Sequence, residues 1–184
     1  ALPLLVEVAE FLQAPVATSL QGLSVFPATH PLHAGFSFGP HAAPSARNAF
    51  ADCDAILAVG TRFGEIATGS FGVSVPENLV HIDINPEVFS KNYPAKVALE
   101  GDAAAVLQRL TFALRARGAA RPAGSGPQEQ IRRDKQAYRE EWYAHDGKGR
   151  VNPARFFDEV RKQMPDDAIT TLDDGNHTFL TAEL

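Results

Sequence analysis

A single cysteine, Cys53, stands among 184 residues. That excludes an intramolecular disulfide framework and any multi-cysteine zinc site. It lies in a small-residue stretch before an apolar run, the setting of a buried, inert thiol rather than a nucleophile. No apolar run approaches the ~20 residues of a membrane helix. The opening also lacks a basic region followed by a cleavage site, so a cytoplasmic location is expected. Basic charge is short too: 17 Lys and Arg against 22 Asp and Glu give a net charge of −5. A nucleic-acid surface would need a basic patch. The one basic cluster, Arg132, Arg133, Lys135 and Arg139, is followed by Glu140 and Glu141 and reads as a solvated helix face. Finally, no Gly-x-Gly-x-x-Gly appears, which removes the ordinary dinucleotide fingerprint.

What is present is the balance of a soluble globular protein, 45% hydrophobic and 21% charged. The opening ALPLLVEVAEFLQ repeats its apolar residues about every helical turn and reads as an amphipathic helix ended by Pro15. PVATSL is short and partly β-branched, as a buried strand should be. The stretch from Gln21 to Pro44 reads as a Gly- and Pro-rich loop. Ser45–Cys53 then reads as a short helix, and AILAVGTRF as a strand leaving at Gly60. NLVHIDINPEVF is a further strand whose Pro86 suits a helical first turn. KVALEGDAAAVLQRLTFALRARG reads as strand, turn and helix, with Asp102 as N-cap and Gly118 as stop.

Alternating helices and near-continuous apolar strands predict an α/β fold, a parallel sheet with helices on both faces. Composition changes at GAARPAGSGPQ, a linker. A charged helix over Gln128–Tyr143 and the break HDGKGR follow. The tail from Asn152 reads as cap, helix, turn, strand and polar loop. The expected organisation is a central domain over 1–120, a linker and charged helix over 121–150, and the start of a second domain over 151–184.

Ligands of open parallel sheets sit beyond the C-terminal strand ends. Four such exits carry small or polar residues: Thr18–Gln21, Gly60–Arg62, Asp83–Asn85 and Gly101–Asp102. Glycine permits close backbone approach, a carboxylate suits ribose hydroxyls, and Arg62 could pair with a pyrophosphate. Taken singly, the same residues are turn glycines, helix caps and a surface arginine.

The runs APVATSLQGLSVFPATHPLHAG, ADCDAILAVGTRF and HIDINPEVFSKNYPAKVALEGDA resemble, in order, the central domain of acetolactate synthase-like thiamine-diphosphate enzymes. NPARFFDEVRKQMPDDAITTLDDGNH resembles the start of their diphosphate-binding domain. The resemblance implies a DHS-like (Rossmann-type) NAD/FAD-binding fold and a nucleotide strip for FAD or ADP. The matching residues are Ser19, Leu20 and Gln21; Gly39 and His41; Gly60, Thr61 and Arg62; Asp83; Asn92; and Gly101 with Asp102. Gly175, Asn176 and His177 resemble the Gly-x-His element that contacts the phosphates of thiamine diphosphate in the intact enzyme. Two places depart from the pattern. Arg62-Phe63 is followed by Gly64-Glu65-Ile66 where the family has Asp-Asp-Arg, and Ala42 stands where it has glycine. The first removes a charge used near the substrate channel. The second is expected to leave less room for a nucleotide.

By the same resemblance, the first central strand, the glutamate-bearing domain and the Gly-Asp-Gly segment that holds Mg²⁺ lie outside this chain. The implied intact enzyme is a homo-oligomer acting on a 2-oxo acid. The chain alone is expected to carry no catalytic residue and no metal ligand, and to be inactive. The DHS-like fold also serves stand-alone nucleotide-binding modules and ligand-free scaffolds. A tail resembling half of a second domain argues for the enzyme.

Overall fold

The computed structural model describes residues 2–118, 120, 126–173 and 175–184. Helix α1 (Leu2–Leu12) is amphipathic as expected. Gln13 leaves it in a left-handed conformation at φ 49°, and strand β1 (Val16–Thr18) begins just after Pro15. The stretch expected to be one loop is more ordered than that. It holds a 3-10 helix (Leu20–Val25) and a strand, β2 (His33–Phe36), paired in parallel with β1. Gly35 hid this strand, because glycine carries no β propensity. The pairing supplies what the local sequence does not.

Helix α2 (Pro44–Ala51) leads to β3 (Ala55–Val59), β4 (Asn78–Asp83) and β5 (Val97–Glu100). These three form a second parallel sheet in the order β3-β4-β5. Helix α3 (Ala103–Arg117) closes the unit. The Asp102 carboxylate accepts from the Ala105 N–H at 3.0 Å, and Gly118 stops the helix at φ 64°. The expected architecture of parallel strands flanked by helices is therefore present.

Side chains alternate across the strands. Leu57 and Val59 share a core with Val8 of α1 and Leu107 of α3. Ile56 and Ala58 face the other way, toward Phe38 and Phe50. Cys53 is half-buried between these layers, and its thiol donates to the Phe50 carbonyl at 3.0 Å. Burial raises its pKa, so the thiol stays protonated and unreactive at neutral pH.

The linker expectation falls partly on residues 119 and 121–125, outside the described residues. Helix α4 (Pro127–Ala144) packs on α2, and Ile131 is buried against Ala34, Ala42 and Ala46. Its basic cluster is not uniformly solvated. Arg132 forks onto Glu129 at the surface, but Lys135 turns inward, 3.3 Å from Nδ1 of His33. Helix α5 (Pro153–Gln163) starts at Asn152, whose side chain accepts from the Arg155 N–H, and docks on α4 through Arg139–Asp158. The strand expected after it is absent: residues 168–173 are irregular, and Ile169 is 93% exposed. A strand cannot persist without a neighbour to take its hydrogen bonds. Helix α6 (Asn176–Glu183) ends the chain and rests on β2, with Phe179 6.1 Å from Phe36 and Glu183 accepting from Tyr138 at 2.8 Å.

The His33–Lys135 contact carries a pH dependence. Burial first, then the nearby charges of Lys135 and His30, lower the His33 pKa from 6.5 to about 4. Between those values the unfolded chain binds a proton that the folded one refuses, so acidification favours unfolding. Urea melts should show stability level above about pH 7 and falling toward about pH 4. His33→Gln should flatten that fall. An unchanged slope in the variant would remove His33 as its source.

Candidate functional site

Register brings the strand tips together. Val59 pairs with Ile82, and Asp83 pairs with Glu100, so Gly60, Asp83 and Gly101 stand side by side at one end of the sheet. Two backbone bonds fix them there, Gly60 N–H to the Ile82 carbonyl at 2.8 Å and Gly101 N–H to the Asp83 carbonyl at 2.9 Å. The other sheet reaches the same end through the segment 64–72. The Ser37 hydroxyl and the Phe38 N–H, just past β2, both donate to the Ala67 carbonyl, at 2.9 and 3.2 Å. Ser37 N–H in turn donates to the Thr18 carbonyl at 2.8 Å, which brings Ser19 to this edge.

The turn after β3 is held rigidly. Gly60 and Phe63 both have positive φ, 63° and 50°. Nε2 of the buried His81 lies 2.9 Å from the Thr61 carbonyl. A carbonyl only accepts, so Nε2 carries the proton and Nδ1 is left buried without a partner. The Asn92 amide donates to the Arg62 carbonyl at 3.1 Å and to the Phe63 carbonyl at 3.0 Å. Three consecutive carbonyls are thus clamped, and Arg62 lies exposed at the edge. Asn92 therefore acts on the turn through its side chain. His81 was missed by sequence reasoning, although a histidine inside the apolar run LVHIDI is the signal that could have found it.

The remaining residues divide. Asp83 accepts from the Asn85 N–H at 2.8 Å, and Asp102 caps α3. Gly60 has open space where a Cβ would stand, with no atom within 4 Å. Ser19 precedes the 3-10 helix that holds Leu20 and Gln21. His41 is exposed, but Gly39 is buried, and a Cβ there would overlap the Thr68 backbone and lie 2.6 Å from Gly69 N. Gly39 is required by packing of the 64–72 segment, so its Cα face is not open to a ligand. Ala42, expected to leave less room for a nucleotide, is buried, with its methyl packed among Ala34, Ala46 and Ile131. Gly175, Asn176 and His177 lie apart from this edge in sequence, at the start of α6. There the His177 ring lies over Gly175, where a Cβ would meet it at 2.8 Å. Asp174 is outside the described residues. Among the described residues no three His, Cys, Asp or Glu side chains gather as a metal site, and no helix is long and apolar enough to cross a membrane.

The family "Thiamine pyrophosphate enzyme, central domain" matches residues 1–110. The chain belongs to this family. It is 41% identical over 111 residues to a probable acetolactate synthase large subunit of Methanocaldococcus jannaschii, covering 60% of this chain and 19% of that protein. It is 31% identical over 183 residues to the acetolactate synthase isozyme 3 large subunit of Escherichia coli, covering 96% of this chain and 31% of the relative. With the large subunit of Parasynechococcus marenigrum the identity is 32% over 176 residues, 95% of this chain and 28% of the relative. The chain thus spans less than a third of the length of these relatives. The family match covers β1 to β5 and the first half of α3, and so includes Gly101 and Asp102.

The glycines of the edge should separate by mechanism. Gly39→Ala drives a methyl into backbone and should cost about 1–3 kcal/mol. Gly60→Ala meets no atom and should cost only the left-handed penalty of about 1 kcal/mol. Denaturant midpoints of the two variants measure the difference. Equal losses would mean that the 64–72 segment yields to the added methyl.

Proposed function

We propose that this chain forms the central portion of a thiamine-diphosphate-dependent carboligase or decarboxylase acting on a 2-oxo acid. Its strand-tip edge receives the diphosphate of FAD or ADP. The observation that carries the reading is the in-register alignment of Gly60, Asp83 and Gly101, with open space at Gly60 and an exposed arginine beside it. Arg62 would take the pyrophosphate and Asp83 a ribose hydroxyl, while His81 and Asn92 hold the turn that presents Arg62. Ser19 and Gln21, from the other sheet, would close the strip. Gly39 supports this edge from behind.

Thiamine diphosphate, when bound, supplies the carbanion chemistry of such enzymes. Of the residues here, Gly175, Asn176 and His177 fit its phosphates, because a helix start offers N–H groups without intrahelical partners and His177 is exposed beside them. Mg²⁺ would need oxygen ligands beyond those gathered among the described residues. We therefore assign residues 151–184 to the start of the diphosphate-binding domain, and expect the 184-residue chain alone to be inactive. Exposed apolar side chains, Phe112 at 77% and Val151 at 74%, support further packing surfaces in a homo-oligomeric enzyme.

Calorimetry on the purified chain should show binding of ADP or FAD. Arg62→Ala should weaken it about tenfold, or about 1.4 kcal/mol. Thiamine diphosphate should give no heat under the same conditions. Absence of any nucleotide binding would favour the scaffold reading, and tight thiamine diphosphate binding would overturn the division of labour proposed above.

A further inference from the structure

Arg47 stands on the exposed side of α2, and among the described residues it joins no ion pair. It lines instead a cavity of about 350 Å³. Phe50 and Ala51, three and four positions further along α2, share its helix face and line the same space. The Phe50 ring is half-buried and stacks on Phe38, with centroids 5.2 Å apart and planes at 18°. Val73, Val75 and Pro76, on the approach to β4, complete the apolar wall. The place is distinct from the strand-tip edge. Ala51 and Cys53 stand ahead of β3 and Pro76 ahead of β4, whereas Gly60 and Asp83 stand at the far ends of those two strands.

The lining selects the ligand. Among the described residues that form it there is no acidic side chain, and Arg47 carries the one charge. The Cys53 thiol already donates to the Phe50 carbonyl at 3.0 Å, which leaves the Ser74 hydroxyl as the other side-chain donor. A purine or a sugar would press its polar edges on apolar walls without partners, which is costly. A phosphate dianion would meet a single cation. A carboxylate, by contrast, matches a guanidinium through two parallel N–H bonds. An aromatic ring gains from offset or edge-on contact with another ring, and Phe50 offers one. The volume lies near the lower end of the roughly 300–1,000 Å³ of small-molecule sites, so the body is small. We propose that this cavity binds a small aromatic monocarboxylate, with the carboxylate on Arg47 and the ring against Phe50, Val73 and Val75. It is a second site, and it does not rest on the nucleotide reading of the strand-tip edge.

The test titrates 3-phenylpropanoate into the isotopically labelled chain and follows amide resonances by NMR. Saturable shifts at 47–53 and 72–76, with 60–62 and 101–102 unmoved, are the expected result. Arg47→Gln should weaken binding about tenfold, or about 1.4 kcal/mol. The neutral amide of the same acid should bind the unmodified chain about as weakly, and the variant should no longer distinguish acid from amide. Arg47 is exposed and unpaired among the described residues, so its replacement leaves the fold intact. Ala51→Trp, at an exposed position of the lining, should fill the cavity and abolish the shifts. Should that variant not fold, the acid–amide comparison decides alone. Equal binding of acid and amide to the unmodified chain would overturn the role of Arg47, and hexanoate binding as tightly as 3-phenylpropanoate would overturn the aromatic class. Shifts confined to 60–62 would place the anion at Arg62 and overturn the site. Failure of FAD or ADP to bind leaves each of these readouts unchanged.

Discussion

A parallel strand can satisfy its backbone only through a neighbour, and that requirement governs this molecule more than any side chain does. The peptide groups of β4 are bonded on both sides, and its Ile82 and Asp83 carbonyls hold the N–H groups of Gly60 and Gly101. The tips therefore have no freedom to drift apart. Everything suggestive of a ligand site follows from that alignment. The same requirement bears on residues 168–173, which pair with no strand and are irregular.

Around this backbone frame, a few polar side chains convert a strand end into a shaped turn. His81 and Asn92 come from different elements, yet their bonds fall on three consecutive carbonyls, Thr61 to Phe63. The bulky rings nearby, Phe63 and Phe89, pack edge-on against His81. They exclude water from the Thr61 bond and so raise its worth relative to an exposed one. The path of the backbone at Arg62 is thus set by His81 and Asn92 rather than by its own side chain.

Much of this was legible in the chain. The helices declared themselves through spacing and caps, Asn152 with Pro153 and Asp102 with Gly118 above all, because local hydrogen bonds decide where a helix starts and stops. The β3, β4 and β5 strands were visible as apolar runs. β2 was not, since His33–Phe36 owes its conformation to pairing with β1, a contact made across the whole 3-10 segment. Lys135 was misjudged for a similar reason. One residue in a charged helix turned inward because the packing of α4 on α2 carried it to His33. The role of Gly39 was visible as a family match but not as physics: only the position of Thr68 shows that the missing Cβ admits backbone, not ligand.

The departures from the family pattern acquire different weights once placed. Ala42 fills space in the seam where α4 meets α2, so a methyl there packs with Ile131 and contributes to the docking of α4. Gly64, Glu65 and Ile66 are another matter, because they begin the segment that ties β3 to β2. Its fold rests on the Thr68 hydroxyl, which donates to the Gly64 carbonyl at 2.8 Å, and on the Ala67 carbonyl that receives Ser37 and Phe38. None of those bonds uses the side chains of residues 64–66, and Ile66 itself is 60% exposed. The segment can keep its path while its outward side chains change. Exchanging an arginine for Ile66 therefore changes the charge at this exposed position without disturbing the bonds that fix the segment.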